Sequence, residues 1–172
     1  MKSNKNIIVF LLKATLLYIL WFIIYDLWLV KVGWLDNFLI QNIISTSKWL
    51  LELFNYTIFF YDQTLGIDGS HGVFIGMPCD GIELIALFTG FIILLPGRVV
   101  NKIWFSLSGL LLIHFLNILR VVIFIMLAYY HPVWLDFNHK YTFTISMYII
   151  VFLGWMLWIK KYSGKVVESH KK

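Results

Sequence analysis

The sequence predicts an all-α integral membrane protein. It should have about four transmembrane helices, an amphipathic helix in the outer interface, and a short extended segment before its single cysteine. Three observations lead there. Charged residues make up only 13% of the 172 positions and apolar residues 60%, against about 25% charged in a soluble domain. Mean hydropathy is +0.83. The apolar residues also come in long blocks that do not alternate with polar ones. A disordered chain, a disulfide-stapled secreted domain and an ordinary cytosolic enzyme are thereby excluded.

A helix needs about 20 apolar residues to cross a bilayer. The first span, about 7–30, follows Lys2 and Lys5 and lacks a small-residue cleavage site, so it reads as a retained signal anchor. Residues 38–55 carry Gln41, Ser45, Lys48, Glu52 and Asn55 at steps of three and four, with apolar residues around them. That pattern predicts a helix lying in the interface, because a spanning one would bury Lys48 and Glu52 in lipid. From Tyr56 to Ile75, β-branched and aromatic residues are broken by Asp62-Gln63, Gly66 and Asp68-Gly69, which predicts one or two short strands.

The second span is placed at about 78–95, starting near Pro78 and ending before Pro96-Gly97-Arg98. The third covers about 103–130, stopped by Pro132, and the fourth about 141–159, ending at Lys160-Lys161. Residues 1–162 form a single membrane domain on this reading, and 163–172 a disordered cytoplasmic tail.

The net charge of +5 does not indicate nucleic-acid binding, since the basic residues flank apolar blocks in short clusters. Lys2, Lys5, Arg98, Lys102, Lys160, Lys161 and the lysines of the tail fall on one side of the four-span arrangement; Lys31, Lys48 and Lys140 fall on the other. The positive-inside rule therefore predicts both termini in the cytoplasm, with residues 31–77 and 131–140 facing outward.

Polar residues that lipid makes costly mark the candidate site. Arg120 lies about ten residues inside the third span, some 15 Å along a helix from its end. A central arginine costs about 2.5–3.5 kcal/mol even on the lenient insertion scale. It either ties helices together or serves a site, and its depth favours the site over snorkelling. His114, Asn117 and Arg120, at steps of three, predict a polar stripe on that helix.

A lone thiol such as Cys79 is either a buried small apolar side chain or a nucleophile. Gly76, Pro78 and Gly81 predict an irregular inward dip around it, which is tolerated only in a protein-lined or wet cavity. A place in the first turn of the following helix would favour the thiolate, and Arg120 would favour it further, while Asp80 and Glu83 oppose it. Among the histidines, His71 and His170 read as solvated, His131 as a helix-end residue and His114 as an interhelical hydrogen-bonder. His139, in Asp136-Phe137-Asn138-His139-Lys140 at the entrance to the fourth span, is a candidate general acid/base.

Met77-Pro78-Cys79-Asp80-Gly81-Ile82 resembles the cysteine motif of the exosortase/archaeosortase family. Asn117-Ile118-Leu119-Arg120 resembles its Asn-x-x-Arg motif, and His139 falls where the family has its histidine. The resemblance covers about 76–148. It implies a membrane-embedded cysteine transpeptidase or protease that cuts a C-terminal sorting signal from exported proteins on the outer face. The cut protein would pass through an acyl-enzyme to a lipid or glycan acceptor. Carried over, Cys79 would be the nucleophile, His139 the acid/base and Arg120 the charge stabiliser. Asn117 would orient Arg120, and Asn138 would stand beside the histidine in a supporting place.

Nothing in the residues suggests a metal, an organic cofactor or a nucleic-acid partner, and the resemblance adds none. It implies the cytoplasmic (inner) membrane as location, with membrane lipids as surroundings. Many members have about twice as many spans, so this is a compact version. A protease ending in hydrolysis, and a non-catalytic membrane scaffold held together by Arg120 and the histidines, are the alternatives that the residues also allow.

Overall fold

The computed structural model describes residues 2–163, and the expected tail after 163 lies outside them. The chain is mostly helical. Helix α1 (Lys2–Ile24) runs through a π-helical turn (Tyr25–Leu29) into a further turn, Val30–Val32. Helix α2 spans Trp34–Leu53. Strands β1 (Ile58–Tyr61), β2 (Thr64–Ile67) and β3 (Val73–Phe74) follow, and a 3-10 turn at Met77–Cys79 leads to helix α3 (Ile82–Leu94). Helix α4 spans Val99–Tyr130. Short 3-10, α and π turns between Pro132 and Thr142 then feed helix α5, Phe143–Trp158.

Among the described residues three helical stretches are long and apolar enough to cross a membrane: Leu11–Val32, Val99–Tyr130 and Pro132–Tyr162. Helix α3 is apolar but shorter, at 13 residues. At about 1.5 Å per residue it covers roughly 20 Å of a hydrocarbon core about 30 Å thick. The expected start of this helix near Pro78 is corrected to Ile82. Cys79 ends a separate 3-10 turn, and Gly81 (φ +80) breaks the helical path in between. The chain is thus a multi-pass, all-α membrane protein with one small sheet.

The chain divides into two compact units. The first holds Glu83–Leu110 with the described parts of Met1–Gly33 and Ile150–Lys172. Its core is aromatic. Phe91 stacks on Trp155 with centroids 4.1 Å apart, and Trp158, fully buried, packs on Phe105 at 5.2 Å. A Cβ added at Gly109 or Gly154 would run into the Phe88 ring, so these glycines let α3, α4 and α5 approach closely around it. The Lys102 ammonium donates to the Ile93 carbonyl at 2.6 Å and satisfies an orphan acceptor at the end of α3.

The second unit, Trp34–Ile82 with Leu111–Ile149, holds every candidate site residue. Helix α2 buries Ile40, Ile43, Ile44 and Leu51 and exposes Gln41, Ser45, Lys48 and Glu52, as its periodicity predicts. It ends at Leu53, two residues earlier than expected, because Asn55 turns left-handed (φ 62) and Tyr56 N–H reaches back to the Leu51 carbonyl at 3.2 Å. Two polar residues, Asp36 and Ser47, share the buried face, which the sequence reading had not foreseen.

The sheet has three antiparallel strands in the order β1-β2-β3, one more than the sequence suggested. Asp62 and Gln63, both at positive φ, close the first hairpin as a two-residue turn, with Tyr61 opposite Thr64. Strand β3 pairs with β2 through Thr64↔Phe74 and Leu65↔Val73. Buried residues of α2, the sheet and α4 form one cluster in which Ile75 and Cys79 sit with Ile118, Val121 and Ile125.

Candidate active site

The cysteine loop is built by local hydrogen bonds. Gly76 leaves β3 extended (φ −109, ψ −173). Its carbonyl accepts from Cys79 N–H at 2.8 Å, and the Met77 carbonyl accepts from Asp80 N–H at 3.1 Å. The buried Asp80 carboxylate then accepts from Ile82 N–H at 2.9 Å, linking the turn to the first residue of α3. This bond gives Asp80 a structural task that its place beside the cysteine did not reveal.

Helix α4 supplies the other half. The Asn117 side-chain amide donates to the Cys79 backbone carbonyl, and both residues are buried. The resemblance implied that Asn117 would orient Arg120; instead it grips the cysteine turn. Gly81 belongs to the same arrangement, since a Cβ there would sit 3.3 Å from the Asn117 amide nitrogen. The Asn117 Oδ1 atom and Arg120 Nε are buried and lack a hydrogen-bond partner among the described residues.

Arg120 is only 8% exposed, as its depth in the span predicted. Its guanidinium carbon lies 5.3 Å from the centroid of the Phe124 ring, one turn further along α4. The Phe124 ring in turn lies 5.0 Å from the His139 ring. The charge of Arg120 acts on Cys79 and also on His139. Asn117, Arg120 and Phe124, at steps of three and four, therefore make one stripe that serves the cysteine turn at one end and the histidine at the other.

His139 stands in the π-helical turn Asn138–Thr142 and is exposed. Asn138 donates to the Trp134 carbonyl at 2.8 Å, four residues back, so its amide braces its own turn. His114 is half-buried, with Nε2 2.8 Å from the Asn42 Oδ1 atom, the interhelical bond that its depth suggested. His71 and His131 are exposed, and His170 lies outside the described residues.

Burial pushes the Cys79 thiol above its ordinary value. The Arg120 guanidinium and a hydrogen bond from the Gly76 backbone N–H to the sulfur pull the other way, and Asp80 adds to the rise. The expectation of an activating helix N-terminus loses its footing, because α3 begins three residues later. Arg120 is the charged neighbour that favours the thiolate.

Sequence reasoning missed Phe124 and Asn42. The first was legible as an aromatic four residues after an arginine; the second was not, because its partner is 72 positions away. A surface cavity of about 190 Å³ lined by Trp104, Phe105, Ser108 and Tyr162 belongs to the first unit and contains none of the candidate residues. Among the described residues no group of three metal-ligating side chains exists.

The model of the transmembrane exosortase family matches residues 6–141, well over half of the chain. The chain belongs to this family. No curated protein and no solved structure matches it. The matched stretch of the exosortase includes α2, the sheet, the cysteine turn, α3 and α4, and ends two residues after His139. It thus contains Cys79, Asn117, Arg120 and His139 together, and extends well ahead of the motifs that first suggested the family.

Proposed function

We propose that this exosortase is a cysteine transpeptidase or peptidase that cuts a C-terminal sorting signal from exported proteins and transfers them to a lipid or glycan acceptor. The observation that carries this reading is the hydrogen bond from Asn117 to the Cys79 carbonyl, which seats the thiol within the electrostatic reach of Arg120. Acyl transfer needs an activated nucleophile, a proton shuttle and a charge stabiliser. Neutral His139 takes the thiol proton, and the Cys79 sulfur attacks the scissile carbonyl. A C–S bond forms and the C–N bond breaks, with the proton passing from His139 to the leaving amine. An acceptor hydroxyl then attacks the thioester, gives its proton to His139, and returns the thiolate.

Arg120 opposes the negative charge, first on sulfur and then on the tetrahedral oxygen. Asn117 is a positioning residue on this reading, and Asn138 supports the turn that presents His139. The site faces outward from the cytoplasmic membrane, with both termini in the cytoplasm, as the lysine and arginine distribution supports.

The test compares C-terminal peptides of membrane-associated proteins in cells carrying wild type, Cys79→Ala, Arg120→Gln or His139→Ala. Uncut C-terminal signals should accumulate in all three variants while each variant still reaches the membrane. Continued processing by Cys79→Ala would refute the reading. A membrane-impermeant maleimide should label Cys79 in intact cells, and labelling only after the cytoplasm is opened would reverse the orientation.

A further inference from the structure

We propose that the free edge of β3 binds the substrate peptide by strand addition and leads its scissile bond to Cys79. The inference rests on Cys79 being the nucleophile and adds where the extended part of the substrate lies. Strand β3 is an outer strand of the sheet order β1-β2-β3. Ile75 N–H donates to the Gln63 carbonyl at 2.9 Å, which makes Gln63 and Ile75 a hydrogen-bonded pair. Hydrogen-bonded and non-hydrogen-bonded pairs alternate along an antiparallel ladder. Leu65 and Val73, two steps on, are therefore a bonded pair, and Thr64 and Phe74, between them, are not. The N–H and C=O of Phe74 consequently point away from β2, into the open edge.

Natural edges are blunted by charges, prolines or bulges. The run Gly72-Val73-Phe74-Ile75-Gly76-Met77 has no charge and no proline, and Phe74 is 63% exposed. The opposite edge, β1, contacts α2 and lies a full sheet width away from the cysteine. Only β3 continues directly into the Met77–Cys79 turn.

A peptide laid along Phe74 would advance about 3.3 Å per residue. Two or three residues would then carry its backbone past Gly76 to the thiol. Main-chain pairing suits a substrate class defined by an extended segment, because it reads backbone and leaves side-chain selectivity to pockets.

The test uses the purified full chain in lipid nanodiscs and two kinds of electrophile. Iodoacetamide reports the intrinsic reactivity of Cys79. Acetyl-tetra-alanine chloromethyl ketone, from which the sulfur displaces chloride, reports peptide binding as well. Two derivatives of the ketone, isomers of each other, carry N-methylalanine at alternate positions, one isomer blocking the odd amides and the other the even ones. Strand addition uses the amides on one side only, so one isomer should react roughly fivefold more slowly for each bond lost and the other at the parent rate. Phe74→Pro, which lacks the edge N–H, should slow the parent ketone and leave the iodoacetamide rate unchanged. Phe74→Ala should keep the difference between isomers.

Equal rates for the parent and both isomers, or equal slowing of both isomers, would overturn strand addition while leaving the nucleophile in place. Failure of iodoacetamide and all ketones to modify Cys79 would overturn the nucleophile reading itself. If Phe74→Pro changes the iodoacetamide rate, the variant has disturbed the loop, and the wild-type isomer comparison alone decides.

Discussion

Replacing Asn117 by Leu tests how the cysteine turn is held. The side chain is fully buried, and its amide donates to the Cys79 carbonyl across 38 positions of sequence. Leucine has a similar volume but no donor, so the carbonyl is left buried without this partner. An orphaned buried acceptor costs about 1–3 kcal/mol. By the scaling for chains of this length, about 2–4 °C per kcal/mol, the melting midpoint should fall roughly 2–12 °C. If the cost is confined to the turn, local opening becomes roughly 5- to 150-fold more frequent. Because Cys79 is the single thiol and is 6% exposed, it reports both effects without background. A fluorogenic maleimide in detergent should give the midpoint on heating, and its slow reaction well below the midpoint should accelerate by the opening factor. An unchanged midpoint together with an unchanged reaction rate would refute the argument that this bond secures the turn.

Three further outcomes are expected. Arg120→Gln removes the charge that pulls the Cys79 thiol down against its burial, so the rate–pH profile for alkylation should move to higher pH; below both pKa values the variant should be slower, roughly tenfold for each pH unit of displacement, and a profile that stays in place would contradict the coupling. Gly81→Ala puts a Cβ at φ +80 and 3.3 Å from the Asn117 nitrogen, whereas Gly69→Ala, at φ +90, meets nothing within 4 Å; both should lose about 1–2 kcal/mol for the left-handed backbone, with a larger loss at Gly81 in thermal denaturation. Glu52→Gln breaks the exposed Lys48–Glu52 pair at 3.7 Å and should change stability by less than about 0.5 kcal/mol in the same assay, since solvent screens such pairs.

Much of the molecule follows from residue order alone, because lipid selects for composition before it selects for shape. Three of the four long apolar blocks give helices long enough to span, the fourth gives the shorter α3, and the steps of three and four from Gln41 to Glu52 had to put a polar stripe on α2. Arg120 and Cys79 were conspicuous for the same reason: each is out of keeping with its surroundings in sequence. The aromatic at position 124 was one helical turn from Arg120 and could have been paired with it.

What the order of residues could not reveal depends on partners distant in the chain. Asn117 appeared to belong with Arg120, three residues away, yet its amide serves Cys79, because the turn after β3 brings that carbonyl to α4. Asn42 meets His114 for a similar reason. Asp36 and Ser47 lie outside the polar steps from Gln41 to Asn55, and only the packing of α2 shows them on its buried face. The ionisation of Cys79 shows the division most clearly. Position suggested a thiol activated by a helix N-terminus; burial, which is a sum over the whole packed unit, pushes it the other way and leaves Arg120 as the counterweight. Local length and apolar composition determine which segments can cross the membrane, whereas desolvation and hydrogen-bond partners exist only once those segments have met.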